Sequence, residues 1–138
     1  MLHQIIYVSN RYCENTEVDK ILEVAQIYNR KHNITGLLLF TDTKFIQTLE
    51  GDKEDITTLY NKIEKDTRHK SSVILVNDVI RERSFPSWQM ASKRIGSSQV
   101  NYVSNINREE IEIFESVLNG QKENGLLVLE IMKRFFYV

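Results

Sequence analysis

The run Leu37-Leu38-Leu39-Phe40 limits the fold more than any other stretch. It follows Asn33-Ile34-Thr35-Gly36. The polar Thr41-Asp42-Thr43-Lys44 and then Phe45-Ile46-Gln47-Thr48-Leu49-Glu50-Gly51 come after it. Two apolar runs around a short polar turn predict a β-hairpin. Successive strand residues point to opposite faces, so Leu37 and Leu39 share one side and Leu38 and Phe40 the other. A strand apolar on both faces needs cover on both faces. One layer of helices cannot provide that.

The other elements follow from periodicity. Gln4–Ser9 reads as a strand, with Ile5, Tyr7 and Ser9 on one face and Ile6 and Val8 on the other. A helix starts near Thr16, where Thr16 and Asp19 have capping-box spacing. Val18, Ile21, Leu22 and Ala25 form its apolar stripe, and Arg30-Lys31 suits its C-terminus. Asp52–Asp55 opens a second helix, with Ile56, Leu59, Tyr60 and Ile63 in its stripe, running to about Thr67. Val73–Val79 is a strand apolar on both faces. Trp88–Ser92 is a short last strand with Trp88, Met90 and Ser92 on one side. The order β-α-β-β-α-β(β) predicts an α+β, ferredoxin-like sandwich with two helices over one sheet face.

The tail supplies the second layer. Asn107 and Glu110 have the spacing to cap a helix carrying Ile111, Phe114, Val117 and Leu118, which ends at Asn119-Gly120. Leu126–Tyr137 is apolar nearly all round, apart from Glu130, Lys133 and Arg134, which is the pattern of a buried helix. These two C-terminal helices are expected on the open sheet face or shared with a partner subunit.

Composition narrows the function classes. Apolar residues make up 41% and charged residues 27% of 138, and the net charge is −1. That balance does not suggest a nucleic-acid partner. The single cysteine, Cys13, excludes an internal disulfide framework and fits a reducing compartment. A spanning helix needs about 20 apolar residues in a row, and no such run occurs. Neither does a secretory leader, so the expected location is the cytoplasm. His3, His32 and His69 lack metal-ligand spacing, and no phosphate loop or nucleophile elbow appears.

What remains is a set of polar residues in apolar surroundings. Gln47 shares a strand face with Phe45 and Leu49, where an unpartnered amide costs about 1–3 kcal/mol. Tyr7 is similarly placed on the first strand. The two are either a bonded core pair or part of a ligand site. Asn29 is either a helix terminator or a polar contact. Asp66-Thr67-Arg68-His69 is either a solvated turn or the rim of a cleft between the helices. Ile21 and Ile63, at equivalent places on the two stripes, either pack the core or sandwich a flat ligand.

Taken in order, these pieces resemble the BLUF family, the blue-light sensors that use FAD. The resemblance spans about Leu2–Ser92. It rests on Tyr7-Val8-Ser9, Asn29, Ile34-Thr35-Gly36-Leu37-Leu38, Phe45–Gly51, Asp66–His69 and Arg83-Ser84-Phe85-Pro86-Ser87-Trp88-Gln89-Met90. It implies a flavin-binding domain over 1–97 and a helical extension over 98–138 that is not a separate domain. It also implies an isoalloxazine ring stacked between Ile21 and Ile63 and bonded by Asn29 and Gln47. Phe45 joins that lining, and Lys62, Asp66, Arg68 and His69 lie near the ring edge, ribityl chain and phosphates. Tyr28 stands where many relatives carry a shorter polar residue, and Lys62 where several have arginine or histidine.

The implied mechanism is a photoswitch. Tyr7 donates an electron and a proton to the excited flavin, the Gln47 amide rearranges, and absorption moves to the red. Trp88 and Met90 pass the change to the sheet and tail helices. The chain is then no enzyme. It is expected to act as a homodimer or larger homo-oligomer on a separate downstream signalling protein. The competing expectation is a ferredoxin-like module without flavin: an acylphosphatase-like hydrolase relying on Arg11, an RNA-binding domain, or a dimerisation module.

Overall fold

A computed structural model describes residues 1–86, 89–94, 107–121 and 125–134. The elements are β1 (Leu2–Arg11), α1 (Asn15–Lys31), β2 (Thr35–Phe40), β3 (Lys44–Asp52), α2 (Lys53–Glu64), β4 (His69–Val79), β5 (Ala91–Arg94), α3 (Arg108–Leu118) and α4 (Gly125–Arg134). Five strands form one sheet in the order β4-β1-β3-β2-β5. The β2–β5 pair is parallel, and the other pairs are antiparallel. This is the expected ferredoxin-like arrangement with one strand added beside β2.

The two-faced hairpin has two cores. On one side Ile5, Tyr7, Leu38, Phe40, Phe45 and Leu49 pack with Val18 of α1 and with Ile56 and Tyr60 of α2. On the other, Ile6, Val8, Leu37, Leu39 and Ile46 pack with Phe114 and Val117 of α3 and with Val128, Leu129, Ile131 and Met132 of α4. The tail helices thus cover the second face within the same chain. The Asn107–Glu110 capping box forms as expected, and Gly120 follows the helix with φ 90°. At Arg134 the described part of α4 ends, and there Arg134 pairs with the buried carboxylate of Glu110. Gly36 is needed in β2, because a Cβ there would lie 1.9 Å from the Thr48 carbonyl oxygen.

Four details differ from the expectation. Helix α1 begins at Asn15 with Glu14 as its N-cap, so Thr16 lies inside the helix and the Thr16–Asp19 pair caps nothing. Helix α2 stops at Glu64, because Asp66 turns the chain by accepting from Arg68 N at 2.9 Å. Strand β4 starts four residues early, at His69, and as an edge strand it is only half-buried where both faces were expected to be covered. Its pairing with β1 shifts twice, and the shift opposite Val8 and Asn10 coincides with Ser71 at φ 58°. A bulge of this kind adds one unpaired residue and bends the strand. The last strand begins at Ala91, so Met90 precedes it. Trp88, the 97/98 division and residues 135–138 lie outside the described residues.

Candidate functional site

A cavity of about 420 Å³ opens between α1 and α2 above the sheet. Its floor is Tyr7 of β1, Leu38 of β2, and Phe45 and Gln47 of β3. Ile21 and Asn29 stand in the α1 wall, Lys62 and Ile63 in the α2 wall, and Asp66, Arg68 and His69 close one end. Ten residues singled out in the sequence therefore line one space. Lys20, Val24, Ala25, Leu38 and Leu59 also line it and were missed. Apolar lining residues leave no mark in a sequence beyond the helical stripe to which they belong.

The floor holds a buried polar line. Tyr7 and Gln47 are register partners on adjacent antiparallel strands, so their side chains leave the sheet together. The Tyr7 hydroxyl donates to Gln47 Oε1 at 2.5 Å, and Gln47 Nε2 donates to Met90 Sδ at 3.3 Å. Both side chains are nearly inaccessible, at 3% and 6% exposure. A thioether is a weak acceptor, and an amide nitrogen has two hydrogens. The donor end of Gln47 is thus held softly. Burial pushes the Tyr7 phenol well above its ordinary value, and neighbouring Tyr60 and Asp66 act in the same direction. Tyr7 is accordingly a neutral donor at neutral pH. Tyr60 stacks edge-on against it with centroids 5.3 Å apart, and its own hydroxyl meets Ser72 Oγ at 2.6 Å.

The α1 wall is tied to the segment before β5. Fully buried Asn29 donates through Nδ2 to the Gln89 carbonyl at 2.6 Å, and Gln26 donates to the Met90 carbonyl at 3.2 Å. Asn29 Oδ1 is buried with no hydrogen-bond partner among the described residues. An unsatisfied buried acceptor costs about 1–3 kcal/mol, so a donor entering the cavity at this atom would be stabilised. The mouth is bridged by Lys62, whose ammonium lies 5.0 Å from the Tyr28 ring centroid. Tyr28 in turn stacks on His32.

The closed end is less free than its residue types suggest. Arg68 forks onto Asp66 at 2.5–3.1 Å, and this pair holds the Asp66 carboxyl below the usual range. Buried His69 meets Ser9 Oγ through Nδ1 at 2.8 Å and the Ile63 carbonyl through Nε2. A carbonyl only accepts, so Nε2 carries a proton, and in the neutral ring Ser9 donates to Nδ1. Both ring nitrogens are engaged, which leaves the ring face for contact with the cavity. Arg11, on which a phosphate cradle would depend, bonds the Cys13 carbonyl, the Thr41 carbonyl and Asn15 Oδ1. Among the described residues no cluster of acidic, histidine or cysteine side chains is arranged to hold a metal.

Comparison with known proteins gives one consistent result. The family model described as "Sensors of blue-light using FAD" matches residues 2–91. The chain is 38% identical over 88 residues to the "Blue light- and temperature-regulated antirepressor BluF" of Escherichia coli (strain K12), a match covering 62% of this chain and 22% of that protein. It is 29% identical over 100 residues to "Photoactivated adenylate cyclase subunit beta" of Euglena longa, covering 70% of this chain and only 12% of that protein. The solved structure "BlrB - a BLUF protein, dark state structure" superposes with a TM-score of 0.75 at 22% identity, covering 97% of this chain and 94% of the other. At that identity the superposition speaks for the fold alone.

Proposed function

The chain belongs to the BLUF family, sensors of blue-light using FAD, and from there we propose that the α1–α2 cleft seats the isoalloxazine ring and that Tyr7, Gln47 and Met90 form its switch. The features of the cleft fit such a ring. Ile21 and Ile63 offer apolar contact from opposite walls, and buried Asn29 Oδ1 offers an acceptor to a ring N–H. Gln47 offers an amide hydrogen to a ring acceptor. Phe45 and Lys62 border the same space, and Asp66, Arg68 and His69 form the end toward the ribityl chain and phosphates.

One observation carries the proposal. A single buried amide is held by a phenol at its oxygen and by a thioether at its nitrogen. Bound FAD would supply blue-light absorption and an excited-state electron acceptor. Tyr7 is the neighbouring donor, and its proton lies on the bond to Gln47 Oε1. When that proton leaves Tyr7, the reason for Oε1 to face the phenol is gone. The amide reorients or tautomerises, Nε2 leaves Met90 Sδ, and the pattern toward the cleft reverses. Such rewiring in a low-dielectric site involves about 1–3 kcal/mol. That is enough to shift a population between two packings. Once the amide has rearranged, the electron and the proton return to Tyr7, so there is no net oxidation or reduction and the chain senses without turnover.

The output is a contact between proteins. Helices α3 and α4, of the extension assigned to 98–138, cap the sheet face opposite the cleft of the sensor domain assigned to 1–97. Thr48, next to Gln47 on β3, donates to Met132 Sδ of α4 at 3.6 Å. A homo-oligomer acting on a separate signalling protein in the cytoplasm fits this arrangement, and no helix among the described residues is long and apolar enough to cross a membrane. The test is an absorption spectrum of the FAD-loaded protein before and after blue light. Flavin bands should move reversibly to the red, and Gln47→Leu should keep FAD and lose the shift. A normal photocycle in that variant refutes the assignment.

A further inference from the structure

Glu50 lies three residues beyond Gln47 on β3 and points to the opposite sheet face. Its side chain is fully buried. One carboxylate oxygen accepts from Ser84 N at 2.7 Å and Gln4 Nε2 at 3.2 Å. The other accepts from Phe85 N at 2.9 Å and Thr35 Oγ1 at 3.5 Å. Arg83 reinforces the same spot by donating to Thr35 Oγ1, the Glu50 carbonyl and the Asn33 carbonyl at 2.7–2.9 Å. Burying a carboxylate is costly unless hydrogen bonds replace its water. Nothing in the cleft uses this group, because it lies on the other side of the sheet.

Its partners show what it holds. Ser84 and Phe85 begin the segment that ends at Met90, the residue whose sulfur accepts from Gln47. The far end of that segment is fixed by Asn29 to the Gln89 carbonyl and by Gln26 to the Met90 carbonyl. One strand therefore grips one segment twice: Glu50 grips its start from the tail-helix face, and Gln47 grips its end from the cleft face. We propose that Glu50 is a positioning residue for the photoswitch, its carboxylate fixing the segment that holds Met90 against Gln47 in the dark state. This inference rests on the switch proposed above.

Glu50→Gln is the decisive variant. A glutamine keeps the shape but puts an NH2 group against Ser84 N–H or Phe85 N–H, so one main-chain donor loses its acceptor. Two readouts apply to the full chain: the methyl resonance of Met90 by 13C NMR, with and without FAD, and the rate of dark recovery with FAD bound. In Glu50→Gln the Met90 methyl should move in both forms. Recovery should slow by roughly fivefold, since the state being regained has lost stabilisation. Arg83→Met, half-buried and less disruptive, should shift both readouts in the same direction by less, and it decides the matter where Glu50→Gln does not fold. An unmoved Met90 methyl, or a moved methyl with recovery at the wild-type rate, overturns the proposal. Absence of any photocycle in the wild type would instead strike the switch itself, while the FAD-free Met90 resonance would still report on Glu50.

Discussion

Consider the bond between Tyr7 and Gln47 as a measurable energy. Both groups are buried, and the 2.5 Å contact between them satisfies the phenol hydroxyl and the amide oxygen together. Tyr7→Phe leaves Gln47 Oε1 without its donor, and Gln47→Leu leaves the Tyr7 hydroxyl without its acceptor. Each orphan costs about 1–3 kcal/mol. The double variant has neither orphan, and its apolar replacements suit the neighbouring core residues Leu38, Phe45 and Leu49. It should therefore be less destabilised than the sum of the single variants by about 1–2 kcal/mol. In a domain of this size that coupling corresponds to roughly 4 °C of thermal midpoint. Urea unfolding of all four proteins, with and without saturating FAD, measures it. Costs that add to within about 0.3 kcal/mol would mean that the two groups are not coupled in solution, and the switch geometry would be wrong.

Other perturbations have equally definite outcomes. Gly36→Ala forces a Cβ to 1.9 Å from the Thr48 carbonyl and should cost about 3 kcal/mol or more, or prevent folding, as read by urea unfolding. Asn29→Ala removes the 2.6 Å bond to Gln89. It should lower FAD-free stability by about 1–2 kcal/mol and weaken FAD binding about tenfold in a fluorescence titration. Glu110→Ala loses both the capping box of α3 and the pairing with Arg134, and should cost about 1–2 kcal/mol. Asp66 titrates below its ordinary value of 3.8 because Arg68 holds it ionised. Its contribution is therefore present above that value and lost as the pH falls through the lower folded-state value. The stability difference between wild type and Asp66→Asn should be constant near neutrality and shrink in acid; a difference that grows in acid would contradict the pairing.

Much of the architecture was legible because it follows from local pattern. The two faces of Leu37–Phe40 demanded two layers, and the tail stripe of Phe114 and Val117 together with an almost wholly apolar last helix met the demand. The Asn107–Glu110 spacing gave a capping box because both partners lie within one turn. Thr16 and Asp19 have the same spacing and cap nothing, since the N-cap of α1 is Glu14, two residues earlier. Bulges in β4 and the late start of β5 were hidden. One of the two bulges coincides with Ser71 in a left-handed conformation, and the residues just before β5 are held by α1 amides on the Gln89 and Met90 carbonyls from 60 or more residues away. Glu50 follows the alternation of β3 to the face opposite Gln47, but two of its donors are main-chain N–H groups of Ser84 and Phe85, which no residue type announces. Strand alternation put Tyr7 and Gln47 each on an apolar face, whereas their pairing, like ten of the residues lining the cleft, came from the family resemblance.

The central claim is that light changes the bonding of one amide. Side-chain 15N NMR of the FAD-loaded protein, with Gln47 assigned by its loss in Gln47→Leu, follows that amide in the dark and under continuous blue light. The Gln47 Nε2 resonances should move on illumination and return in the dark at the rate at which the flavin bands recover. Flavin bands that shift while the Gln47 resonances stay in place would contradict the account.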